Sequence, residues 1–196
     1  MGIERRGARE RREPCEPREL ADEQAGQEPG GDPVGLVRTA QGGDTLAMGE
    51  LLDLLTPYVG RVCGSIALDS GPDAAQDTLV TVMRSLRSLR EPAALFGWAR
   101  TIAVREALRH AERDARARPI NAEVMSHLPA PGEPQLAADV RDVLAHLSPR
   151  HRAVLVLRDL HGFTEVDAAA LLDVQPGTVK SRLHRARQSF RKEWIS

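Results

Sequence analysis

The run Pro176-Gly177-Thr178-Val179-Lys180-Ser181-Arg182-Leu183-His184-Arg185-Ala186-Arg187 carries the residue types that recognise nucleic acid. Lys180, Arg182, Arg185, Arg187, Arg191 and Lys192 are cationic, and no Asp or Glu falls between Pro176 and Lys192. Such a surface attracts phosphate, and an arginine presented to a groove can also pair with guanine O6 and N7. Catalytic chemistry finds little support. The six His are scattered, no glycine-rich phosphate loop follows a strand pattern, and no Ser/His/Asp or Cys/His set is recognisable. The expectation is a protein that is not an enzyme and uses no cofactor. Cys15 and Cys63 lack a Cys or His neighbour at ligand spacing, so neither a disulfide framework nor a metal site is indicated, and Cys63 reads as a buried thiol.

The cations need a scaffold, and the pattern supplies one. Pro176 suits a first helical position, and Val179, Leu183, Ala186 and Phe190 recur at helical spacing as one apolar stripe. Upstream, Thr164 with Asp167 forms a capping-box-like start to a helix through Ala168, Ala169, Ala170, Leu171 and Leu172, and Asp173-Val174-Gln175 makes a tight turn. A short alanine-rich helix, a three-residue turn and a basic helix are the parts of a helix-turn-helix. Ser148-Pro149 caps a further helix whose Val154, Leu155, Leu157 and Leu160 close the small core, and Gly162 can end it in a left-handed conformation.

Across all 196 residues, 41% hydrophobic but only 3% aromatic content predicts an all-α fold with small cores of Leu, Ala and Val. The net charge of −1 conceals a division: residues 1–32 hold six Arg against nine acidic residues, whereas 176–192 hold six basic residues and no acidic ones. The Arg-rich start has no apolar segment behind it, and no run of about 18 apolar residues is seen, so a soluble, intracellular protein without membrane insertion is expected.

Residues 1–32 have only Ile3 and Leu20 as large aliphatic side chains and are expected to be a disordered tail. The first domain is expected over 33–113. Its first helix starts near Leu36 and ends at Gly42-Gly43. Asp44 caps a second with Leu51, Leu54, Leu55, Tyr58, Val59 and Val62 on its apolar face, with Pro57 inside. A third runs roughly from Asp73 to Leu89 and a fourth from about Ala93 to Arg113, the latter bearing Arg100, Arg105, Arg109 and Arg113 as a spiralling basic stripe. This stripe is a second candidate nucleic-acid surface, although Arg beside Glu106 and Glu112 also reads as an ordinary exposed face. Residues 114–137, with Pro119, Pro129, Pro131 and Pro134, read as an extended linker to a second domain over 138–196.

Leu147-Ser148-Pro149-Arg150-His151-Arg152-Ala153-Val154-Leu155-Val156-Leu157-Arg158, with Gly162-Phe163-Thr164 and Gly177 to Arg187, closely resembles region 4 of bacterial sigma factors of the extracytoplasmic-function (ECF) branch. Asp173 stands where that family commonly has Gly in the turn, and Asp tolerates the left-handed conformation. The first domain resembles region 2: Leu36 to Asp44 as the opening helix, Asp73-Ala74-Ala75-Gln76-Asp77-Thr78-Leu79 as an acidic segment, and Trp98 with Ile102-Ala103 in the following helix. The resemblance implies that Asp73, Gln76, Asp77 and Thr78 dock on the β′ coiled coil of core RNA polymerase. The β flap and promoter DNA are further implied partners, with an anti-sigma factor a possible one. The same carboxylates also suit a helix N-terminus on physical grounds alone.

By the same resemblance, the loop after Arg90 and the next helix receive the unwound −10 element. Trp98 and flanking Arg residues could hold a splayed base, although Trp98 reads first as plain core. Arg105 stands where several relatives carry Asn, which bears on the −10 preference. For the −35 element, Lys180, Ser181, His184 and Arg185 are the candidate groove contacts, with Thr178 and Arg182 nearer the phosphates. The implied function is a promoter-specificity subunit, monomeric off the polymerase, cytoplasmic and nucleoid-associated. The competing reading is a stand-alone dimeric helix-turn-helix regulator on a palindrome.

Overall fold

The computed structural model describes residues 32–117 and 134–195. The expected tail, Cys15 and most of the expected linker lie outside the described residues. Helices run as α1 (Pro33–Gln41), α2 (Thr45–Ala67), α3 (Gly71–Ser85), α4 (Leu95–Ala117), α5 (Pro134–His146), α6 (Pro149–Leu155), α7 (Glu165–Leu172) and α8 (Pro176–Ile195), and no strand occurs among the described residues.

Local chemistry explains most of the ends. Gly43, at φ 99°, reverses the chain after α1, and the Asp44 carboxylate accepts from the Leu46 and Ala47 amides at 2.9 and 3.0 Å to start α2. Pro57 lies inside α2 on an exposed position and the helix continues through it. Leu51, Leu55, Val59 and Ile66 of that helix are fully buried, each leucine contributing about 1.5–3 kcal/mol relative to exposure. An 18-residue window within Thr45–Ser88 is apolar enough to cross a membrane, at a mean hydropathy of 1.3, but Leu51, Leu55, Val59 and Ile66 of that stretch belong to this core.

Leu68, buried at φ 55°, and a 3-10 turn over Leu68–Ser70 turn the chain into α3. The two helices meet closely at Gly71, where a Cβ would stand 2.8 Å from Gly64 Cα. Helix α3 gives way at Ser85 to a 3-10 turn over Leu86–Ser88, short of the expected Leu89. Helix α4 runs to Ala117, past the expected Arg113, because no Pro or Gly interrupts it before Pro119. Helix α5 begins at Pro134, ahead of the expected Ala138, with proline at its first position.

Helices α1–α4 make one bundle and α5–α8 a second, and the two are docked. Arg152 of α6, only 6% exposed, donates from Nε to the Ile66 carbonyl at 2.7 Å and from a terminal nitrogen to the Leu144 carbonyl at 3.2 Å. Ion pairs Arg150–Glu112 at 2.7 Å and Arg141–Asp69 at 3.1 Å flank it. The bond to Ile66 meets a real need, since that carbonyl lies in a helix C-terminal turn, while the Leu144 carbonyl also accepts from the Leu147 amide at 3.2 Å.

Candidate nucleic-acid interface

The second bundle presents α8 as the sequence pattern implied. Ser148 Oγ accepts from the His151 amide at 3.4 Å to start α6, which passes into a π-helical turn over Val156–Leu160 before Gly162 at φ 70°. Thr164 Oγ1 accepts from the Asp167 amide at 3.1 Å and donates to Asp167 Oδ2 at 2.6 Å, closing the cap of α7. Asp173 takes the left-handed conformation, φ 52° and ψ 52°, and the Val174 amide reaches back to the Ala169 carbonyl at 3.0 Å. Val179, Leu183 and Ala186 are buried against α6 and α7, where Ala168 and Ala169 permit close approach.

That packing leaves Lys180, Ser181, His184 and Arg185 exposed, with Thr178 and Arg182 half-buried at the edge. Ser181 Oγ donates to the Thr178 carbonyl at 3.1 Å, and His184 Nε2 accepts from the Gln188 amide at 3.1 Å. Arg187 is paired with Asp159 at 2.6 and 2.9 Å and is withdrawn from the open face. His151 lies beside this surface. Burial, and after it the charges of Arg185 and Arg182, hold its pKa below the ordinary 6.5.

The basic stripe of α4 is not the uniform solvated row that its spacing suggests. Arg105 is exposed, as is Arg90 in the preceding loop, and neither has an ion-pair partner among the described residues. Arg100 turns inward, donating to the Tyr58 hydroxyl, and its guanidinium carbon lies 4.7 Å from the ring centre of Phe163 in the second bundle. Arg109 bridges Asp77 at 2.8 Å and Glu106 at 2.6 Å, while Arg113 donates to His110 Nδ1 at 2.8 Å. Trp98 is half-buried, its body packed against the core.

Of the acidic segment, Asp73, Gln76 and Asp77 are exposed. Thr78 corrects the expected face. It is fully buried, donating to the Ala74 carbonyl at 2.7 Å and touching Cys63 Sγ at 3.7 Å, because its register on α3 points to α2. Burial pushes the Cys63 thiol up to about 11. Asp77, Glu106 and His110 place ligand-type atoms within 4.8 Å of one another, but Arg109 and Arg113 occupy that cluster as an ion-pair network.

Sequence reasoning missed Tyr58, His110 and Phe163 as polar or aromatic partners of these cations. The available signal was faint: His110 lies at the i+3 position from Ala107 on the inward face of α4, a polar group where an apolar one was due.

Two family models match the chain in order, Sigma-70 region 2 over residues 49–117 and Sigma-70 region 4 over residues 137–190. Among curated relatives, the chain is 31% identical to the ECF RNA polymerase sigma factor SigE of Mycolicibacterium smegmatis, covering 84% of this chain and 69% of the relative. It is 34% identical to the RNA polymerase sigma factor CarQ of Myxococcus xanthus, covering 71% and 86%. Among solved structures it resembles the sigma factor RpoE in complex with the anti-sigma factor NepR from Bartonella quintana, with TM-score 0.54 and 27% identity over 74% of this chain and 94% of that one. The fold also matches CnrH in complex with the cytosolic domain of CnrY, with TM-score 0.55 at 23% identity over 82% and 95%. Both regions are matched in order, and so are relatives across most of their length: the chain belongs to the ECF sigma factors, promoter-specificity subunits of bacterial RNA polymerase.

Proposed function

We propose that the first bundle binds core RNA polymerase through Asp73, Gln76 and Asp77 on the β′ coiled coil and receives the opened −10 strand. The second reads the −35 duplex with α8 and meets the β flap. The single observation that carries the DNA reading is the acid-free outer face of α8, where Lys180, Ser181, His184 and Arg185 are exposed together on a helix-turn-helix. Arg90 and Arg105 supply unpaired cations for the −10 backbone, and Trp98 an aromatic surface beside them. Thr78 acts from within, holding α3 to Cys63.

The docked arrangement adds a condition. With Phe163 over Arg100, this arginine reaches a −10 strand only after the bundles separate, and separation also frees α8 to find a distant −35 element. An anti-sigma partner, such as NepR is for the similar RpoE of Bartonella quintana, would act by stabilising the closed arrangement. The protein works in the cytoplasm on the nucleoid and catalyses no reaction itself.

The test mixes the purified chain with core polymerase and scores comigration and promoter-dependent transcripts. Complex formation with new promoter-specific transcripts is the expected result. A dimer that binds duplex DNA alone and ignores polymerase would replace this reading with a stand-alone regulator.

A further inference from the structure

Between the acidic face of α3 and the basic stripe of α4 sits His110, 2% exposed, with both ring nitrogens engaged. Nδ1 lies 2.8 Å from a terminal nitrogen of Arg113, and Nε2 lies 2.8 Å from Asp77 Oδ2. A guanidinium can only donate, so Nδ1 must be the acceptor. The ring proton therefore resides on Nε2 and is donated to Asp77. Arg109, 3.2 Å from Nε2, has no acceptor to offer and spends its donors on Asp77 and Glu106. With Nδ1 accepting and Nε2 donating, the ring takes one tautomer and links an exposed carboxylate on α3 to an exposed guanidinium on α4.

We propose that His110 is a positioning residue that couples the two jobs of the first bundle, holding the Asp77 carboxylate for polymerase through Nε2–H and the Arg113 guanidinium for the −10 strand through Nδ1. The inference rests on the role proposed for Asp77 and on the expectation, carried over from the basic stripe of α4, that the exposed Arg113 serves the −10 strand. Its physical basis is that one buried, rigid ring fixes both partners at once, so a displacement of the carboxylate by a polymerase side chain is felt at Arg113. The hydrogen bond from His110 is the leading reason that the Asp77 carboxyl is held below its ordinary pKa of 3.8.

The two links can be cut separately in the full chain. His110→Asn places an acceptor near Nδ1 and removes the donor at Nε2; His110→Gln places a donor near Nε2 and removes the acceptor at Nδ1. Polymerase affinity and, at saturating polymerase, opening of the −10 region are read for both, with Asp77→Ala and Arg113→Ala as references and thermal melting as the folding control. The expected result is a split: His110→Asn weakens polymerase binding about three- to tenfold with opening retained, and His110→Gln impairs opening by a similar factor with binding retained. Imidazole nitrogen NMR of the parent chain should show a proton on Nε2 only.

Parallel loss of both readouts in step with melting, or no loss in either variant while both references lose function, would leave His110 as core packing and overturn the coupling. A doubly protonated ring at neutral pH would do the same. If Asp77→Ala leaves polymerase affinity unchanged, or Arg113→Ala leaves opening unchanged, the role proposed for that reference residue fails, and the coupling with it.

Discussion

Arg185 and Arg187 share charge and helix but not circumstance. Arg187 is held by Asp159, whereas Arg185 is exposed and free to reach a groove. Replacing Arg185 with Ala should therefore cost about 1–3 kcal/mol of discrimination at the −35 element, measured as the ratio of affinities for matched and mismatched promoter fragments. Equal weakening on every fragment would reduce it to a phosphate contact. At this scale, charge and register were legible in the sequence, and so were the caps Asp44 and Thr164, because a cap depends on residues within one turn of itself. Partners drawn from another helix were not. Thr78 looked like part of an acidic surface and is buried, while Arg100 looked like surface and is turned toward Tyr58 and Phe163.

Helix boundaries depended on how strong the local stop signals were. The turn at Asp173 came out as expected because Asp accepts the left-handed conformation and Pro176 can begin a helix. The end of α4 did not, since nothing between Arg113 and Ala117 breaks a helix. Gly71 illustrates a requirement invisible in one helix: it exists because α2 crosses there, with Gly64 Cα in the way of any side chain. Gly71→Ala should destabilise the first bundle by about 1–3 kcal/mol through forced separation of α2 and α3, read as a lowered midpoint in urea unfolding. An unchanged midpoint would show that the crossing relaxes freely.

Docking of the two bundles is the main property of the whole molecule. Arg152→Ala removes the donors to the Ile66 and Leu144 carbonyls and should populate an open form, seen as an increased radius of gyration in small-angle scattering. No change in radius would mean that the flanking ion pairs and apolar contact suffice. Acid should act in the same direction through His161. Burial first, then Arg100 and Arg61, holds this ring below its ordinary pKa of 6.5 when docked. As pH falls through 6.5 the released ring binds more protons than the docked one, so docking is complete above that value and weakens below it. Scattering at pH 7.5 and 5.5 tests the sign, and a more compact form at the lower pH would refute it.

The sequence by itself determined the all-α class, the two helical units, the helix-turn-helix and its acid-free recognition face, because periodicity, capping and charge are properties of short segments. Only the tertiary structure decided which arginines remain available, that Thr78 is interior, that His110 joins Asp77 to Arg113, and that Phe163 lies over Arg100. Each of these is a contact between residues far apart along the chain, fixed by how helices cross and by which buried polar group must find a partner, and no local pattern encodes that choice.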